Sequence, residues 1–175
     1  MNCNDINLES IKLLCDTDNT GGISGSVYIA NVENINVIKV NGVVDEVKLS
    51  DYAEIEVNRM RTSNFTEAGT NQADSTSTIV TQTVTLNLPP LSAAVRDALK
   101  AYTNPMARYA IICKMNAKNS GETQYYVAGA HYGLYGSVNS SSGTQRSELS
   151  EAVLTFTGEE SVLGYIIDET KLTLI

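Results

Sequence analysis

The chain has no tryptophan, two phenylalanines, one histidine, three cysteines and three prolines in 175 residues. Without tryptophan it lacks the broad aromatic platform on which a sugar-binding cleft usually relies. The one histidine, His131, is the sole base available to a Ser–His–Asp set. It sits in a Gly- and Tyr-rich strand with no nucleophile elbow nearby, so a structural role is expected. Cys3, Cys15 and Cys113 are odd in number and widely spaced. That pattern fits neither a disulfide framework nor a metal site, and folding in a reducing compartment is expected. Basic residues are few, twelve against twenty acidic, and the net charge of −8 disfavours specific binding to phosphate backbones. No run approaches the roughly 20 apolar residues of a membrane helix. The N-terminus has no basic segment followed by an apolar run, so no secretory signal is expected. Gly21-Gly22 and the stretch from Gly129 to Gly133 match neither dinucleotide nor nucleotide fingerprints. Adjacent carboxylates, Glu159-Glu160 and Asp168-Glu169, point to opposite faces if they lie on strands. The expectation is a chain that is not an enzyme, with no cofactor, no metal and no membrane.

What the chain does have is β pattern. Its 42 % hydrophobic content and nine tyrosines suit one domain, residues 1–175, with half-buried sheet surfaces. Gly25–Ala30 reads as an early strand. Ile79–Leu88 alternates, with Val80, Val84, Leu86 and Leu88 on one side and Thr81, Thr83, Thr85 and Asn87 on the other. Tyr109–Met115 and Thr123–Gly129 read as an antiparallel pair around an Asn-rich turn. Ala152–Gly158 and Val162–Ile167 follow as further strands, and Asn139–Thr144 reads as a flexible tip. One helix is predicted, Ser92–Tyr102, with Ser92 as N-cap and Leu91, Val95, Ala98, Leu99 and Tyr102 as its apolar stripe. The class is mainly β, an antiparallel sandwich or barrel flanked by one α-helix.

Four segments look as if they need a partner. Val37–Val40, Asn41-Gly42 and Val43–Val47 form a hairpin with a type I′ turn. Val40, Asn41, Gly42, Val43 and Val44 there carry more exposed-looking valine than a solvated hairpin should, which marks a candidate interface. Residues 62–78 are polar and read as a long loop that would order most easily on another subunit, with Phe65 and Thr66 as contacts. The N-terminal arm (1–22) and the apolar end Lys171–Ile175 also invite a neighbour.

The order of elements from Val80 onward resembles the tail tube proteins of bacteriophages, particularly those infecting Bacteroides and its relatives. The resemblance lies in the Thr-rich strand 81–88, the helix 92–102, the strand Ala110–Met115 and its partner Tyr125–Gly129. It also takes in the Gly-rich step at Tyr132-Gly133 and the closing Leu154-Thr-Phe-Thr-Gly-Glu-Glu160. It implies a structural virion protein whose copies join sheets around a ring, a hexamer or dodecamer, and stack into a conduit for DNA. In crAss-like phages the equivalent would be a tail-barrel ring. Further implied are other tail or portal-proximal partners, genomic DNA passing without specific binding, and assembly in the host bacterial cytoplasm. Glu54 and Glu56, on the polar face of an alternating strand, are candidates for an acidic lumen. The competing readings are a fimbrial or adhesin-like β-sandwich subunit and a small glycan-active β-domain enzyme.

Overall fold

Residues 109–113, Tyr-Ala-Ile-Ile-Cys, are apolar without alternation, which a strand tolerates only when both its faces are covered. The computed structural model shows both faces covered. It describes residues 17–18, 22–57, 62–71, 78–88, 93–119, 122–141 and 151–175. The strands, in chain order, are β1 (Thr17–Asp18), β2 (Ile23–Asn31), β3 (Ile35–Val40), β4 (Val43–Leu49), β5 (Ala53–Glu56), β6 (Asn64–Asn71) and β7 (Thr78–Asn87). After α1 (Ala93–Leu99) come β8 (Tyr109–Asn119), β9 (Glu122–Ala128), β10 (Tyr135–Ser141), β11 (Glu151–Glu160), β12 (Tyr165–Asp168) and β13 (Leu172–Leu174).

They form three layers. The central six-stranded sheet runs β12-β9-β8-β2-β5, with β1 also paired to β8; a four-stranded sheet runs β10-β11-β7-β6; a three-stranded sheet runs β13-β4-β3. One core lies between the central and four-stranded sheets, with Val27, Ile111, Cys113, Tyr126, Val84, Leu86, Leu154 and Phe156. A second lies on the other face of the central sheet, where Ile112, Tyr125, Val127 and Ile167 meet Val47 and Leu49 of the hairpin sheet. Along β8 and β9, therefore, alternate side chains serve different cores. Each fully buried Leu, Ile or Phe there contributes roughly 1.5–3 kcal/mol. Among the described residues all three sheets have open edges, so the mainly β expectation resolves to a sandwich and not a closed barrel.

The helix closes one end of the first core. α1 spans Ala93–Leu99 and a 3-10 turn continues to Thr103, close to the expected 92–102. Ser92 and Leu91 lie outside the described residues. Leu99 and Tyr102 are buried and Val95 packs on the same core, but Ala98 is exposed, a correction to the expected stripe. Tyr102, Tyr109 and Phe156 form an aromatic trio, with centroids 5.5–5.8 Å apart at steep angles. The trio joins the turn, the central sheet and the four-stranded sheet. Gly136 stands opposite Phe156 in the β10–β11 register and lets the turn come in: a Cβ there would lie 2.5 Å from the Tyr102 carbonyl oxygen.

Three expectations of completion by a neighbour need correcting. The polar stretch 62–78 is not one long loop: Asn64–Asn71 is β6, paired antiparallel with β7 from Asn64↔Thr85 to Asn71↔Thr78, while 72–77 lie outside the described residues. Its threonines made it look like a loop by composition, yet β-branched residues alternating with Phe65 and Glu67 suit an edge strand. The apolar C-terminus docks inside the chain, β13 pairing in parallel with β4. The hairpin arms also pack on the chain's own second core, through Val37, Val44, Val47 and Leu49. Thr173 donates to Glu46 (2.7 Å), and this bond, with Lys48 beside it, lowers the Glu46 pKa. Asn139–Ser141, expected in a flexible tip, belong to β10, and the expected turn from Asn116 starts later because β8 continues to Asn119. The N-terminal arm lies outside the described residues apart from Thr17-Asp18 and Gly22.

Candidate interaction surfaces

The hairpin turn forms as the Asn-Gly pair demands. Asn41 and Gly42 both have positive φ, 52° and 82°, the condition for a type I′ turn. Only the tip is free of the core: Val40 is 53 % and Val43 65 % exposed. Val44 is half-buried against the second core, so of the three valines it is the least available to a neighbour. The ladder shifts by one here, Ile38 pairing with Glu46 and Lys39 with Val44. Asp45 is the extra residue of that bulge, exposed beside the valines. Lys39 is engaged elsewhere, its Nζ 4.7 Å from the centre of the Tyr165 ring.

Phe65 and Thr66, adjacent in sequence, face opposite ways on β6. Phe65 turns inward and stacks on Tyr126, centroids 3.7 Å apart and planes 9° from parallel. Thr66 is exposed, opposite Thr83, which in turn stands opposite Thr157 with the two hydroxyls 3.3 Å apart. The outward face of the four-stranded sheet is thus a hydroxyl surface built from Thr66, Thr81, Thr83, Thr85, Thr155 and Thr157. None of its four strands contains a lysine or arginine. Glu54 and Glu56 are exposed on β5, the edge strand of the central sheet, while Ile55 and Val57 turn to the core.

The inward face of the same sheet holds a polar cluster that the alternation along Ile79–Leu88 contained but concealed. Gln82 shares the parity of Val80, Val84 and Leu86 and is buried with them. Its Nε2 donates to Glu67 Oε1 and the Val162 carbonyl (both 3.2 Å), and its Oε1 accepts from Gly129 N–H (2.9 Å). Glu67, pointing inward from the edge strand, also accepts from Gly164 N–H. Glu160, 3 % exposed, accepts three consecutive backbone N–H groups on Oε1: His131 (3.4 Å), Tyr132 (2.9 Å) and Gly133 (3.0 Å). Such a nest of amides is a natural seat for an anion; here the chain fills it with its own carboxylate. Glu160 Oε2 and the Tyr126 hydroxyl have no hydrogen-bond partner of good geometry among the described residues. Burial first, and then the Glu67 carboxylate beside it, push the Tyr126 pKa up.

An open cleft of about 400 Å³ is lined by Thr78, Ile79, Tyr132, Glu159, Glu160 and Ser161. A glycosidase needs two carboxyl groups converging on one bond. Here the Glu160 carboxylate is committed to the amides of 131–133, so among the described residues Glu159 has no opposed carboxylate in the cleft. His131 Nε2 lies 2.6 Å from the Tyr165 hydroxyl, and its own N–H serves the Glu160 seat. Cys113 is wholly buried, which pushes its thiol pKa up and leaves it a core residue. A second groove, about 230 Å³, lies between α1 and β10, lined by Arg96, Leu99, Lys100, Thr103, Val138 and Ser140. Lys100 pairs with Asp97 at 2.8 Å.

No family model, curated protein or solved structure matches the chain. Its surfaces therefore carry the functional argument. Among the described residues no helix is long and apolar enough to cross a membrane. The sequence signalled the hairpin tip and the acidic edge; it gave Gln82 away only through its parity, and the Glu160 seat through the closing Glu-Glu and the glycines at 129 and 133.

Proposed function

We propose that this protein is a structural subunit that assembles with copies of itself, edge to edge, into rings of a phage tail tube or tail barrel that conducts DNA. The observation that supports this best is the four-stranded sheet, which ends on two long strands, β6 and β10, each of which pairs on one side only with strands among the described residues. Exposed edges of this kind template the pairing of another chain unless charge, proline or a cover blocks them. β10 has no charged residue and no proline, and the charged residue of β6, Glu67, is turned inward. Pairing β6 of one copy with β10 of the next joins two different surfaces, a heterologous contact that closes into a ring or continues as a filament.

The rest of the surface suits a conduit. A hydroxyl face whose four strands carry no lysine or arginine, with Arg108 stacked on Tyr135 at its β10 edge, offers passing DNA little counter-charge, and the overall charge of −8 adds repulsion that keeps the polymer from adhering. In this reading Glu54 and Glu56 contribute to that field, and copies assemble in the host bacterial cytoplasm before joining the virion. Negative-stain imaging with mass photometry of the purified full chain tests it. Closed rings or tubes support the proposal, and a monomer at every concentration overturns it.

A further inference from the structure

Edge pairing leaves the exposed hairpin tip without a purpose, and the groove between α1 and β10 has no occupant among the described residues. The tip presents two valines, Val40 and Val43, at 53 % and 65 % exposure, with the bulge residue Asp45 exposed next to them. The groove has the opposite character. Its floor is apolar, from Leu99 and Val138, and its rim carries Arg96 and Lys100. Its volume of about 230 Å³ suits a pair of branched aliphatic side chains.

Two copies that each carry a charge of −8 repel one another, so a contact between them is favoured where an acidic surface meets a local basic one. Arg96 is exposed and, among the described residues, has no ion pair. Within one chain the tip packs with the hairpin sheet on the central sheet, while the groove lies beside the four-stranded sheet. The two surfaces belong to different layers, so a tip seated in a groove leaves that copy's own tip free to engage a further copy, a heterologous joint that repeats.

We infer that the hairpin tip of one copy docks in the α1–β10 groove of a second copy, Val40 and Val43 on the Leu99–Val138 floor and Asp45 against Arg96. This rests on the assembly reading and adds to it a named joint beyond the sheet edges.

The test uses the full chain with Cys3→Ser and Cys15→Ser, keeping the buried Cys113. Val43→Cys and Ser140→Cys, placed on separate copies and mixed under mild oxidant, are expected to give a covalent dimer, whereas either variant alone is not. Asp45→Lys and Arg96→Glu are each expected to weaken assembly at least tenfold in mass photometry, and mixing the two to restore it, with both effects shrinking at high salt. Assembly that proceeds unchanged in the charge variants, with no mixed cross-link, overturns the joint and leaves edge pairing standing. A wild-type chain that never associates overturns both.

Discussion

Removing the Glu160 carboxylate should expose how much the 131–133 seat contributes to the fold. In Glu160→Ala, the Tyr132 and Gly133 N–H groups lose their acceptor at 2.9 and 3.0 Å, and Gly133 is buried in the intact fold. The 3.4 Å contact from His131 is at the limit of a hydrogen bond and is counted as nothing. Bonds to a charged acceptor contribute roughly 1.5–3 kcal/mol each, so the loss of two is at most about 3–6 kcal/mol, a large part of a typical stability. One effect opposes this: Oε2 is buried without a partner, and its removal relieves a desolvation cost. Glu160→Gln relieves the same charge yet keeps an amide oxygen for the two N–H groups, so it should cost about 1–2 kcal/mol. The difference between the two variants isolates the acceptor. Urea titration at neutral pH reads it, provided the m-value stays constant. Hydrogen exchange at Tyr132 and Gly133 should accelerate in the Ala variant and much less in the Gln variant. Equal costs for the two, or a cost under about 1 kcal/mol for Ala, would refute the reasoning.

Gly136→Ala should cost at least about 2–3 kcal/mol and loosen the helix end, because its Cβ would meet the Tyr102 carbonyl at 2.5 Å; thermal denaturation and exchange of the Tyr102 region check this. Phe156→Ala, at the centre of the aromatic trio, should cost about 3–5 kcal/mol in the same titration. Burial raises the Cys113 pKa, so the folded thiol keeps its proton while the unfolded thiol loses it above about pH 8.5. The unfolded state then binds fewer protons, and stability falls as pH rises from there, by up to about 1.4 kcal/mol per pH unit for this group. Cys113→Ala should flatten that slope in denaturation followed from neutral to alkaline pH.

Periodicity made some elements legible and concealed others. The long strand at 78–87, the helix at 93–99 and the Asn41-Gly42 turn could be read because each follows local chemistry: alternation, strong helix formers with an apolar stripe of Val95, Leu99 and Tyr102, and two residues tolerant of positive φ. What stayed hidden was the layering. Val47 and Leu49 on the hairpin, and Leu172 and Leu174 at the C-terminus, look unpartnered in sequence. They bury against the far face of the central sheet, a surface only the tertiary fold creates. The unbroken run at 109–113 was the available sign that one sheet would be covered on both sides. β6 was lost to composition, since threonine and glycine read as a loop until a neighbouring strand supplies the ladder. Gln82 is hidden in sequence by the apolar residues that flank it, although its parity places it in the core.

Hydrogen exchange at the two edges of the four-stranded sheet, compared between dilute and concentrated protein, bears most directly on assembly by edge pairing. The outward amides of Asn64–Asn71 and Tyr135–Ser141 should gain protection together as particle mass grows, while the amides of Tyr109–Cys113, already enclosed, stay unchanged. Growth in mass with both edges exchanging as fast as in the monomer would contradict it.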